Sequence, residues 1–137
     1  TGQTVQEIAA DRITAAGELA KKRRVTCVLK DACTVTACRD GRFVINTTGN
    51  SGMATDGSGD VLTGMILGLL AAGMDAEEAA YCAVWLHGKA GDRARDTMGE
   101  ASLLAEDIIS AIPEVLKKSV WGQGRKNYER RDNCGIM

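Results

Sequence analysis

The feature that most constrains this chain is a glycine-rich stretch that runs directly into an apolar segment. Thr48-Gly49-Asn50-Ser51-Gly52-Met53-Ala54-Thr55-Asp56-Gly57-Ser58-Gly59-Asp60 precedes residues 61–74, a largely apolar run spaced by Gly64, Gly68 and Gly73. Glycine permits backbone angles and close approaches that other residues resist, and the first turn of a following helix leaves amide N–H groups unpaired and pointing outward. Together they read as a cradle for an anion or a phosphate at a helix start. The competing reading is a tight turn in which Ser58 or Asp60 merely caps the helix. A carboxylate at the end of an anion cradle repels its ligand, so Asp60 is useful there mainly to orient or deprotonate a hydroxyl that attacks the phosphate. The glycine amides would then stabilise charge on the transferring group. Neither a Gly-Lys-Ser/Thr ending nor G-x-G-x-x-G spacing is present, which excludes the Walker and dinucleotide motifs.

At 137 residues the chain has the length of one domain and is short for two. Apolar residues make up 45% of it, enough for a buried core. With 17 Lys and Arg against 18 Asp and Glu the net charge is −1, so no nucleic acid and no membrane is expected as a partner. The run 61–74 is shorter than a membrane span and reads as a buried helix. Cysteines 27, 33, 38, 82 and 134 include no C-x-x-C pair, and His87 is the only histidine, so no metal site is expected. That cysteine usage fits a reducing compartment, and a cytoplasmic setting is expected. No signal-peptide pattern opens the chain, and a start at Thr1 suggests processing or an upstream portion.

Residues 5–21 are expected to form one helix, with Val5, Ile8, Ala9, Ile13, Ala16 and Ala20 along one side and Thr4 and Glu7 at capping-box spacing. Residues 25–30 read as a strand covered on both faces, with Val25, Cys27 and Leu29 on one and Val28 on the other. Residues 34–38 and 42–47 read as a hairpin turning at Asp40-Gly41, giving a short mixed sheet. Three helices are expected to follow. The first, 60–72, carries Gly64 and Gly68 on one face, where another backbone could come close. The second covers 76–95, opened by Asp75 and rich in alanine; the third covers 104–112 and should end or kink at Pro113. Residues 1–118 form the expected folded unit and 119–137 a polar, loosely held tail.

Lys30 stands where the buried strand leaves the sheet, a position from which a lysine reaches a ligand beyond the strand ends or simply solvates the strand terminus. Cys33 lacks an evident base and reads as packing rather than as a nucleophile. His87, between small residues of a helix, reads as a packing residue, and Asp92 as a helix-surface or capping residue.

Val28-Leu29-Lys30-Asp31-Ala32-Cys33-Thr34, the glycine-rich stretch with its continuation Val61-Leu62-Thr63-Gly64, Leu86-His87-Gly88-Lys89-Ala90-Gly91-Asp92 and Leu103-Leu104-Ala105-Glu106-Asp107-Ile108-Ile109 together resemble the ADP-dependent NAD(P)H-hydrate dehydratase family. This family forms the C-terminal part of the bifunctional NAD(P)H-hydrate repair enzyme. The resemblance implies an α/β, ribokinase-like layered fold, of which this chain covers only the C-terminal half. It implies dehydration of S-NAD(P)H hydrate, NADHX or NADPHX, back to NAD(P)H, with ADP as co-substrate leaving as AMP and phosphate. Lys30, Asp31, Ala32, Cys33 and Thr34, with Asn50, Gly57, Ser58 and Gly59, would bind the adenine nucleotide, accompanied by Mg2+. Asp60 would face the reacting hydroxyl. Asp31 and Asp56 stand where the family usually has glycine, and Ser51 where it has proline. Both carboxylates place negative charge near a polyphosphate.

A ribokinase-like domain is longer than this chain, so the chain is expected to be a piece of a longer protein, with little turnover by itself. The N-terminal remainder is then its first partner, and a homo-oligomer is expected. Two other functions use the same residues: a ribokinase-like small-molecule kinase, and a truncated, non-catalytic nucleotide-binding or structural domain.

Overall fold

The computed structural model describes residues 2–119, in the order α1 (Val5–Ala10), α2 (Arg12–Arg23), β1 (Cys27–Leu29), β2 (Val35–Ala37), β3 (Phe43–Ile45), a 3-10 turn (Ser51–Met53), α3 (Ser58–Ala71), α4 (Ala76–Met98) and α5 (Ala105–Lys118). The tail lies outside these residues, apart from Ser119.

The single N-terminal helix expected from periodicity is two. Thr4 does form the capping box with Glu7, but Asp11 leaves helical geometry (φ −142°, ψ 80°) and its carboxylate accepts the Thr14 N–H at 3.0 Å, starting a new helix. An Asx cap inside an apolar period thus overrides the period. Short α1 buries nothing, and Val5 is 84% exposed; α2 buries Ala15, Ala16 and Ala20.

The three strands pair in the order β1-β2-β3, with Cys27 opposite Ala37 and Val35 opposite Ile45. Both pairings are antiparallel, so the described sheet is not mixed. The turn at Asp40-Gly41 is present, with Gly41 at φ 91°. Ala16 and Ala20 of α2 pack on Val35 and Ala37, joined by Cys27 and Leu29. On the opposite face Val28 packs with Leu62, Ala83 and Val84 of α3 and α4. Helices therefore cover both faces of the sheet, as the apolar pattern of residues 25–30 requires.

A second core joins Ala90 and Ala94 of α4 to Ile108 and Ala111 of α5, with Met53 and Leu103. Pro113 does not end α5. The helix runs on to Lys118 because Ile112 and Val115, on either side of the proline, pack against this core and hold the final turns in place. Among the described residues no helix is long and apolar enough to cross a membrane.

Candidate active site

Helix α4 is the wall on which the glycine-rich loop is laid. Trp85, Gly88 and Asp92, spaced three and four apart, share one side of it, flanked by His87 and Gly91. A Cβ added at Gly88 would overlap the Thr48 hydroxyl and come within 2.7 Å of the Thr48 carbonyl carbon. One added at Gly91 would lie 2.7 Å from Met53 Cε. The Thr48 hydroxyl shares its proton between Asn46 Oδ1 at 2.9 Å and the Trp85 carbonyl at 3.1 Å. Asp92 accepts the Gly49 N–H at 3.1 Å and the Asn50 side-chain amide at 3.2 Å, while Asn50 Oδ1 accepts the Gly52 N–H at 3.1 Å. Ser51 is held by Glu100, its hydroxyl 2.6 Å from Oε1.

The loop enters α3 through Gly57 at φ 82°, a left-handed angle that favours glycine. No side chain caps α3. The Ser58 N–H turns back to the Thr55 carbonyl at 3.3 Å, and the first bond of the helix proper is Val61 N–H to Gly57 O at 3.0 Å. The N–H groups of Gly59 and Asp60 are left as the open donors of the first turn. Above Gly59 a Cβ would meet nothing within 4 Å. The Asp60 side chain is exposed and makes no hydrogen bond or ion pair among the described residues. Beside it a largely apolar groove of about 600 Å³ opens between α3 and α5, lined by Gly57, Val61, Gly64, Met65, Ala105, Ile109 and Ile112. That is an ordinary size for a small-molecule site.

Ser58 is buried, and its hydroxyl faces inward, 3.5 Å from His87 Nε2. Burial pushes the His87 pKa down to about 4, the Lys30 charge adds to this, and hydrogen bonding to Ser58 opposes it. His87 is thus a neutral imidazole that meets the α3 entry through Ser58 and feels the charge of Lys30, the residue after β1. Lys30, Asp31, Ala32 and Cys33 are exposed and Thr34 is buried. The Thr34 hydroxyl donates to the Asp31 carbonyl at 3.1 Å, and Asp31 Oδ1 accepts the Ala32 N–H at 2.7 Å. Arg12 at the start of α2 forms an ion pair with Asp31. The Ala32 amide and the Arg12 charge, among other contacts, hold the Asp31 carboxyl below its usual range.

Four residues of the candidate site escaped the sequence reading. Asp92 is not a mere surface or cap residue but clamps the loop; Gly88 and Gly91 seat it; Arg12 meets the charge of Asp31. Asn50 has both ends of its side chain committed to this clamp. Among the described residues, Cys38, Asp40 and Glu77 are a group whose ligand atoms approach within 4.8 Å. Arginines already serve them: Arg42 pairs with Asp40 at 2.5 Å and with Glu77 at 3.0 Å, and the Arg39 N–H donates to Glu77 at 3.1 Å.

A helix-covered sheet with a glycine-rich entry into α3 and an exposed aspartate in its first turn places the chain in the ribokinase-like class of folds. Within that class it belongs to the NAD(P)H-hydrate dehydratase family, whose model matches residues 2–114. The ADP/ATP-dependent NAD(P)H-hydrate dehydratase of Bacillus subtilis, co-crystallised with ATP and Mg2+, superimposes with a TM-score of 0.81 at 39% identity, over 85% of this chain and 42% of that one. The bifunctional NAD(P)H-hydrate repair enzyme Nnr of Thermofilum pendens is 46% identical over 117 residues, 85% of this chain and 22% of that protein. The ADP-dependent (S)-NAD(P)H-hydrate dehydratase of Neisseria meningitidis is 43% identical over 111 residues, 80% of this chain and 38% of that protein. The chain thus spans less than half the length of the relatives it matches.

Proposed function

We propose that this chain supplies the phosphate cradle and catalytic aspartate of an ADP-dependent S-NAD(P)H-hydrate dehydratase. The observation that carries this is the exposed Asp60 carboxylate in the first turn of α3, flanked by the open N–H donors of Gly59 and Asp60 and by the apolar groove. Asp60 takes the proton of the hydrate hydroxyl as its oxygen attacks the β-phosphorus of ADP. The bond from that phosphorus to the AMP oxygen breaks, and the first-turn amides offset the charge on the transferring group. Phosphate is a better leaving group than water, so the C–O bond to it breaks as the neighbouring carbon gives up a proton to solvent, which restores the nicotinamide double bond and releases phosphate. Lys30, Asp31, Ala32 and Cys33, with Gly57 and Gly59, line the nucleotide, while buried Thr34 and Ser58 support the two turns from inside. Asn50 acts through the loop rather than by reaching the ligand.

The charge of Asp31 does not argue against nucleotide binding, because Arg12 pairs with it. Mg2+ travels with the phosphates as their counter-ion; the Glu77 carboxylate is paired with Arg39 and Arg42 and does not hold it. The remainder of a longer protein completes the pocket by covering the open side of α3, where Leu67 is 65% exposed, and the free edge of β1. A cytoplasmic setting is part of this reading and rests on the spacing of the cysteines in the sequence alone. Self-association belongs to the whole protein, where mass measurement in solution tests it.

The test is turnover by the full encoded protein, given NADHX and ADP, read as NADH absorbance with AMP and phosphate counted. Asp60→Asn should lower kcat by about 100-fold or more while ADP binding by calorimetry holds. Equal turnover by that variant removes Asp60 from the mechanism.

A further inference from the structure

We infer that Asp92 is a positioning residue: from α4 it fixes the shape of the glycine-rich loop, and through it the placement of Asp60 and the first-turn amides of α3. The catalytic part of this inference rests on the proposed dehydratase reading; the bracing itself rests on geometry alone.

Asp92 uses both carboxylate oxygens on the loop. Oδ2 accepts the Gly49 N–H at 3.1 Å and Oδ1 accepts Asn50 Nδ2 at 3.2 Å. Asn50 passes the constraint on, since its Oδ1 accepts the Gly52 N–H at 3.1 Å and starts the 3-10 turn Ser51–Met53. A single carboxylate thereby holds Gly49 and Asn50 directly and Gly52 through Asn50. Bonds to an ionised acceptor are roughly twice as strong as neutral ones, which suits an anchor at the rim of a polar loop. The anchor acts at a flexible point of the backbone: Gly49 sits at φ 105°, an angle that glycine adopts freely and other residues resist, so its own torsions do not fix the loop. Arg95, whose Nη1 lies 3.8 Å from Asp92 Oδ1, balances the charge without displacing the loop contacts. Asp92 is held in turn by its place in the middle of α4, a rigid element, so the carboxylate is a fixed reference point. Misplacing a reacting group by about 1 Å can cost on the order of 100-fold in rate.

The arrangement permits an exchange test. In Asp92→Asn, the new amide group faces either the Asn50 amide or the Gly49 N–H, donor against donor, and one bond is lost. In the double variant Asp92→Asn/Asn50→Asp, the amide at 92 donates to the carboxylate at 50. Gly49 N–H still finds an oxygen at 92, and Gly52 N–H still finds one at 50. All three bonds and the net charge are kept.

The experiment measures backbone amide hydrogen exchange at Gly49 and Gly52, melting temperature, and kcat and KM with NADHX and ADP, in the full encoded protein. Asp92→Asn should speed exchange at both glycines by about tenfold and lower kcat by roughly ten- to 100-fold, with a smaller change in KM. The double variant should bring exchange and kcat back to within about threefold of the unsubstituted protein. Unchanged exchange in Asp92→Asn overturns the inference, as does a kcat that the double variant fails to recover. If the unsubstituted protein turns over no NADHX, the dehydratase reading fails, and exchange at Gly49 and Gly52 alone decides whether Asp92 braces the loop.

Discussion

A Cβ added at Gly88 or Gly91 of α4 would collide with Thr48 or Met53, whereas one added at Gly64 or Gly68 of α3 would meet nothing within 4 Å. Both helices space their glycines three or four residues apart, and the spacing alone gives no hint of the difference. On α4 the missing side chains are filled by the glycine-rich loop, which lies directly on the helix and is tied there by Asp92 and Trp85. On α3 they face open space, beside an exposed Leu67 and a half-exposed Leu70. The lesson is that glycine in α4 is a template for the site, and glycine in α3 belongs to a surface the described residues do not cover.

The largest effect that could break this comparison is expected from Gly88→Ala. The added methyl has nowhere to go but into Thr48, so we expect a loss of about 3 kcal/mol, the upper part of the range for overpacking, read as a lower midpoint in denaturant. A neutral Gly88→Ala would mean that the loop is not seated on α4 in solution. Gly91→Ala should be milder, because flexible Met53 can shift.

Next in size is a pH effect centred on His87, the neutral imidazole of the same helix face. Its pKa is pushed down to about 4 from 6.5, first by burial and then by the charge of Lys30. Between these values the unfolded chain binds more protons than the folded one, so stability must fall as pH falls through this window. The loss should reach about 2 kcal/mol by about pH 5, and unfolding midpoints across the window measure it. His87→Gln should flatten that slope. A slope that is identical with and without the imidazole would mean that His87 is not buried against Ser58.

What the residues disclosed in advance follows from range. The glycine entry into α3, the Thr4 capping box and the hairpin turn at Asp40-Gly41 are made by neighbours within a few positions, and each was legible. The two-faced burial of β1 was legible too, since alternation along the strand records both layers. The Asp92 clamp closes across 43 and 42 positions, and the Arg12 pair with Asp31 across 19, so no local pattern announces either. Asp11 and Pro113 misled in opposite directions. At Asp11 a local cap beat the apolar period, and at Pro113 packing against the α4 core beat a local breaker. For the site, the sequence pointed to Asp60 and the cradle; the framework that holds them came only with the fold.

The smallest expected effect bears on the open side of the comparison. In this chain Gly64→Ala replaces the least helix-favouring residue short of proline with the most favouring one, at a position where the new methyl touches nothing. A gain of about 0.5–1 kcal/mol in unfolding free energy is expected, mostly by restricting the unfolded chain. The same substitution separates two states of the α3 face. If the remainder of a longer protein lies against Gly64, as the coverage of only 42% of the Bacillus subtilis dehydratase suggests, the methyl that stabilises this chain should destabilise the whole protein. Denaturant midpoints for the substitution in both lengths decide it. A gain in both leaves α3 open on this side, and a gain that reverses sign places a second layer within contact of Gly64.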